Sequence, residues 1–194
     1  MLAAACTGGG ATRTSPPPPP DTPSASASSS PSPSPSRTGP LSTGPNVRPG
    51  EKPPVLPEAA KEHSPAGALA FATYFIKALD WGFATNDAYL VEKISSASCQ
   101  ACKRNISALD KLNHDHGIER GARVHLVSGR LVTGDFRYKS ELVAEIQLRQ
   151  DRAVISRPSS APTTIQPENP YTSLVFVSWQ SGHWIIVEFG APSK

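Results

Sequence analysis

Every tryptophan, tyrosine and phenylalanine in this chain stands after position 70. The aromatic residues carry the largest apolar side chains, so a core worth the name has to be built from the C-terminal two thirds. Proline shows the opposite bias, with 16 of the 21 prolines at or before Pro65. Residues 7–64 are Pro, Ser, Thr, Gly and Ala with scattered charges. Such a segment buries too little apolar surface to offset its ordering entropy, and is expected to be disordered. One folded domain over 65–191 is expected, long enough for a single core. The net charge of +3 and pI of about 8.8 are mild. No Lys/Arg run or phosphate-binding glycine loop is present, so nucleic acid is not an expected partner. No stretch of 18 apolar residues occurs that would cross a membrane as a helix.

The domain opens on a well-marked helix. Ser64 is placed to cap it, Pro65 fits the first turn, and Leu69, Ala72, Phe75, Ile76, Leu79 and Phe83 recur at three- and four-residue spacing. Thr85-Asn86-Asp87 stops it and caps a short second helix carrying Tyr89, Leu90 and Ile94. Ser98 is expected to cap a third helix that turns Cys102, Ile106, Leu109 and Leu112 inward and ends with Gly117 in the left-handed position.

Period-two alternation follows. A strand starts at Val124, with a turn or bulge expected at Gly129. Leu142, Ala144, Ile146 and Leu148 face one way, and Val143, Glu145, Gln147 and Arg149 the other. Val154-Ile155-Ser156 is expected to pair with the preceding strand through a turn at Asp151-Arg152, and Pro158 to Pro170 reads as a loop. Leu174–Trp179 and Trp184–Phe189 flank a hairpin turn at Gln180-Ser181-Gly182-His183. Helices first and antiparallel strands second is an α+β order.

The N-terminal run Leu2-Ala3-Ala4-Ala5-Cys6 resembles a bacterial lipoprotein signal-cleavage box, in which small residues precede a cysteine that is lipidated. Ala3 stands where such boxes usually carry a branched apolar residue, and the basic and apolar regions of a signal are not in front of it. The expectation is that translation starts upstream of Met1, that residues 1–6 are the end of a signal, and that Cys6 bears the lipid. Residues 7–64 then form a tether, roughly 40 Å long as a flexible coil and about 180 Å as polyproline II. SPPPPP and PSPSPSP also fit a ligand for proline-reading domains.

Three helices packed on a curved antiparallel sheet of four to six strands resemble the nuclear transport factor 2-like (cystatin-like) cone. The closing SLVFVSWQSGHWIIVEFG is similar to the last hairpin of such domains. AAACTGGG, SPPPPP, SPAGALAFATYFIKALDWGFATND and SSASCQACKRNI together resemble an actinobacterial family of lipoproteins of unknown function. The resemblance implies an extracytoplasmic protein on the cell membrane, held by lipid on Cys6. It implies no reaction, no cofactor and no catalytic residue.

Cys99 and Cys102 stand one helical turn apart. Three chemistries compete for them. Outside the cytoplasm, with Cys6 lipidated, the remaining cysteines are even in number and a structural disulfide follows. A redox pair is the second reading, since a helix N-terminus lowers a thiol pKa. A zinc site with His114 and His116 is the third, but structural zinc sites space their histidines by three to five residues, so no metal is assigned.

Cone folds often hold a pocket between sheet and long helix, and some relatives are isomerases or dehydratases. Tyr74, Asp80, Tyr89, His125 and Glu145 are the side chains with suitable acid–base chemistry. On the patterning Glu145 and His125 face solvent, and Asp80 lies off the helix's apolar face. Trp81, Trp179, Trp184, Phe176 and Phe189 either fill the concavity or line a pocket for a small apolar ligand. The expected function is binding, of an envelope protein or such a ligand. A small-molecule isomerase or dehydratase is the alternative, and a cytosolic adaptor with a proline-rich tail a third.

Overall fold

A computed structural model describes residues 38–132 and 137–192. Helices α1 (Pro65–Thr85), α2 (Tyr89–Ile94) and α3 (Gln100–His114) come first. Seven strands follow: β1 (Ile118–Gly121), β2 (Val124–Val132), β3 (Leu142–Gln150), β4 (Ala153–Arg157), β5 (Ser160–Ile165), β6 (Tyr171–Gln180) and β7 (His183–Gly190). The α+β order read from the sequence is therefore the observed one, with more strands than expected.

Helix α1 begins where its cap residues say it should. Ser64 Oγ accepts from Gly67 N at 3.0 Å, and Pro65 occupies the first turn. It ends at Asn86, whose φ of 56° is a left-handed stop that asparagine tolerates. Phe71, Phe75, Ile76 and Leu79 are buried against Ile146, Val175 and Ile186 of the sheet. Each large side chain buried this way contributes about 1.5–3 kcal/mol. On α3 the cap is Cys99 in place of Ser98, its Sγ accepting from Cys102 N at 3.1 Å. The left-handed residue after α3 is His116 (φ 51°), in place of Gly117. Gly117 N instead donates back to Leu112 O at 2.7 Å, closing the helix end.

The strands form two antiparallel sheets, β2-β3-β6-β7 and β1-β4-β5. Gly121 lies opposite Ala153 in one and Val124 opposite Gln150 in the other, three residues on in one strand and three back in its partner. The register thus runs unbroken across the gap, and β1–β2 and β4–β3 are one long strand pair that bends at Ala122-Arg123. Ala122 takes a φ of 57° there. This is why β4 does not fold back on β3 through Asp151-Arg152 as expected: it carries the pairing on to β1 and then to β5. The stretch expected as a loop from Pro158 holds β5, whose β-branched residues pair although every one of them is exposed.

Two further details differ from the sequence reading. Gly129 is neither turn nor bulge; β2 runs through it, and the register shift falls at Val127 between Leu126 and Ser128. A Cβ at Gly129 would stand 2.8 Å from Ile146 Cδ1, so glycine serves close packing here. Phe176 lies on the opposite face from the α1-side core, in a second small cluster with Val143, Leu174 and Val187. The β6–β7 hairpin turns at Ser181-Gly182, both with positive φ (50° and 84°), as a two-residue turn requires.

The largest correction concerns the domain boundary. Residues 38–64 fall in the stretch expected as tether, yet they form a strap bonded to the C-terminal end of α1 at one end and to β7 at the other. Leu41 O accepts from Trp81 Nε1 at 3.0 Å, and Asn46 N donates to Ala84 O at 3.0 Å. At the other end Glu62 O accepts from Trp184 Nε1 at 2.8 Å, and Ala60 in the 3-10 turn Glu58–Lys61 is buried. Backbone carbonyls and an asparagine do this work, so a low aromatic content conceals it. Residues 1–37, with Cys6 and most of the expected tether, lie outside the described residues.

Candidate binding pocket

At the N-terminal end of α1 the strap, α2 and the β6–β7 turn enclose a cavity of about 280 Å³. Leu56 and Ala60 come from the strap, Phe71 from α1, Ile94 from α2 and Trp184 from the start of β7. Lys61, Lys93 and His183 stand at the same cavity, and all three are exposed. Its wall is therefore apolar and its rim basic.

The strap is pinned at this end by rings. His63 stacks on Trp179 with centroids 4.8 Å apart and planes 9° from parallel, and meets Trp184 edge-on at 5.4 Å. Trp179 and Trp184 are themselves T-shaped at 5.2 Å. His63 Nε2 pairs with Glu141 Oε1, while Glu141 Oε2 accepts from Trp179 N at 3.2 Å. The indole N–H of Trp184 is satisfied by Glu62 O, so that side chain presents only its apolar ring to the cavity.

The five acid–base candidates are dispersed, and none lines this pocket. Asp80 departs from expectation: it is half-buried, and Arg123 donates to it through Nε (2.9 Å) and Nη2 (2.7 Å). Arg123 also donates to both oxygens of Glu51 on the strap, at 2.6 and 3.1 Å. The hydrogen bond from Arg123 draws the Glu51 carboxyl down from 4.5 to about 2, and the two carboxylates hold Arg123 further above its already high value. His125 Nε2 contacts Asp151 Oδ2 at 3.0 Å in the open. Glu145 pairs with Arg130 at 2.8 Å. Tyr89 lies under Lys93 Nζ, 5.4 Å from its ring centroid, and Tyr74 is buried, which pushes its phenol up.

Cys99 and Cys102 stand in disulfide geometry, Cα atoms 5.3 Å apart, at the start of α3. Above them the buried carboxylate of Glu188 accepts from Gln100 N and Ala101 N, both at 2.9 Å. It neutralises the positive end of the helix. Among the described residues no three His, Cys, Asp or Glu side chains converge as a metal site.

Sequence reasoning missed Leu56, Ala60 and Lys61 because they sit in a proline-rich segment. The signal present was VLPEAAKEH, a short apolar and helix-forming stretch unlike the Ser/Pro tract before it. Glu188 is buried between two apolar neighbours, beside the register shift of β7 against Phe176 and Val177, so strict alternation does not place it.

The model of a family of unknown function (DUF6318) matches residues 48–190, beginning inside the strap. No curated protein matches the chain. Among solved structures, the crystal structure of the intermembrane space region of the chloroplast protein ARC6 is similar at 11% identity and a TM-score of 0.45, over 69% of this chain and 99% of that one.

Proposed function

The chain belongs to the DUF6318 family, and on that premise we propose a binding module held at the outer face of a cell membrane by lipid on Cys6. In this reading it is an actinobacterial lipoprotein. Residues 1–6 end its signal, 7–37 form the tether, and the strap joins 65–191 in one domain. The domain is read as a nuclear transport factor 2-like cone, which the bent sheet around α1 supports. Cys99 and Cys102 are oxidised in that compartment. The observation that carries binding over catalysis is the pocket itself. Its wall of Leu56, Phe71, Ile94 and Trp184 is apolar, and Asp80 and Glu145 are engaged by arginines elsewhere. A small apolar ligand or an envelope protein is the partner class.

The test is mass spectrometry of the protein expressed from its own locus in an actinobacterial host. The N-terminal peptide should begin at Cys6 and carry a diacylglyceryl thioether. The peptide holding Cys99 and Cys102 should be two hydrogens short. An unmodified Cys6 with two free thiols overturns the anchor and the compartment together.

A further inference from the structure

We propose that the pocket takes a single-chain carboxylate amphiphile of medium length, its tail against Trp184 and its head at Lys61 and Lys93. This rests on the binding reading above and names the ligand class of that site.

The wall and the rim each restrict the ligand. Leu56, Phe71, Ile94 and the Trp184 ring offer no hydrogen-bonding group to the interior, since the one indole N–H there already donates to Glu62 O. A polar tail would lose its water contacts without replacement. About 280 Å³ is at the low end of ligand pockets and holds one chain, not the two of a phospholipid.

The residues around the cavity include two lysines and a histidine and no carboxylate. Lys61 Nζ is paired with Glu58 at 2.6 Å, but the two side chains are 53% and 88% exposed. So open a pair is worth little and exchanges readily for another anion. Lys93 rests over the Tyr89 ring, which leaves its ammonium donors to solvent or to a ligand head. Both lysines line the cavity, and each carries a charge at the end of a four-carbon apolar stem, a combination that suits an anionic head on an apolar tail. A cationic amphiphile meets repulsion, and a neutral one gains nothing from the rim.

The experiment is calorimetric titration of the full 194-residue chain with decanoate, decanol and decyltrimethylammonium, each below its aggregation limit. The expected result is saturable binding of one decanoate per chain, weaker decanol and no cation binding. In Lys61→Gln/Lys93→Gln, two exposed substitutions that leave the core untouched, decanoate weakens about fivefold and decanol is unchanged. Ile94→Phe, which fills the cavity, weakens both, and 10-bromodecanoate quenches the tryptophan fluorescence of the wild-type chain. Decanol binding as tightly as decanoate, or a double variant that holds decanoate like the wild type, overturns the carboxylate preference and leaves the binding module standing. No saturable binding of either overturns the pocket reading as well. Lipid on Cys6 is judged by mass alone and survives either result.

Discussion

Arg123 grips Asp80 through two parallel hydrogen bonds, Nε to Oδ1 at 2.9 Å and Nη2 to Oδ2 at 2.7 Å. Arg123 stands at the bend between β1 and β2, and Asp80 on α1 also accepts from Val124 N at 2.7 Å. The bend is thus locked to the central helix, and Glu51 and Asn46 O lock the strap to the same guanidinium. Only 9% of the Arg123 side chain is exposed, so removing one partner leaves a buried charge under-compensated. Asp80→Asn should cost about 2–4 kcal/mol, read as a lower urea midpoint at unchanged slope. A midpoint within error of wild type would show the cluster to be ornamental.

The same cluster predicts an acid limb. The Glu51 carboxyl is held at about 2 in the folded chain against 4.5, chiefly by the Arg123 hydrogen bond. A depressed carboxyl stabilises the fold above the unfolded value, and that contribution is lost as pH falls from about 4.5 to 2. Glu51→Gln should lose about 1–2 kcal/mol at pH 7, a figure reduced for partial exposure, and show a shallower decline between pH 5 and 2. Stability measured by denaturation at a series of pH values decides it; identical acid limbs would rule the contribution out.

Glu119 works with the opposite sign. It is 8% exposed on β1, and burial raises its carboxyl above 4.5. The folded chain holds that proton more tightly than the unfolded one, so the contribution is present at low pH and lost as pH rises through the folded value. Glu119→Gln should therefore raise the thermal midpoint at neutral pH and leave it nearly unchanged near pH 4. A variant less stable than wild type at pH 7 would mean that the ionised carboxylate has a structural partner.

How much of this was legible depended on how local the cause is. The α1 start is set by Ser64 and Pro65 within one turn, and the β6–β7 turn by Ser181-Gly182, so both are readable in sequence. The α1-side core residues of β3 follow from strict alternation. Strand β5 is exposed at every position, so no periodicity marks it. The strap is invisible for a different reason. Its anchors are a carbonyl under Trp184, 122 residues away, and the Glu51 carboxylate on Arg123, 72 residues away. Composition reports what a segment can bury itself, and the strap is buried by others.

At the start of α3, Cys99 and Cys102 stand in disulfide geometry around a short loop, and the buried carboxylate of Glu188 meets the same turn. The loop spans three residues, so reduction of Cys99–Cys102 should cost only about 2 kcal/mol. Glu188 accepts from two backbone N–H groups that would otherwise have no helical partner, and Glu188→Gln should cost about 1 kcal/mol. Because both secure one helix end, the loss in the reduced variant should differ from the sum of the two. Thermal melts of wild type and Glu188→Gln, with and without reductant, make the cycle. Strict additivity would mean the two act independently.

The strap's close approach to the end of α1 rests on the glycine at position 44. A Cβ on Gly44 would lie 2.3 Å from Thr85 Cα and 2.5 Å from Ala84 O. Both are backbone atoms of a packed helix and cannot move aside, so in Gly44→Ala the strap has to lift. The hydrogen bonds from Asn46 to Ala84 O, Phe83 O and Glu119 O would be strained or lost with it. Gly39 has nothing within 4 Å of the same position, and Gly39→Ala serves as a silent control. Limited proteolysis should cut Gly44→Ala within 38–62 at least about tenfold faster than wild type or Gly39→Ala, following the population of the lifted strap. The helical circular dichroism should stay intact, since α1 keeps its sheet contacts. Equal cutting rates in the three proteins would mean that the strap is held chiefly by its far end, at Glu62 and Trp184.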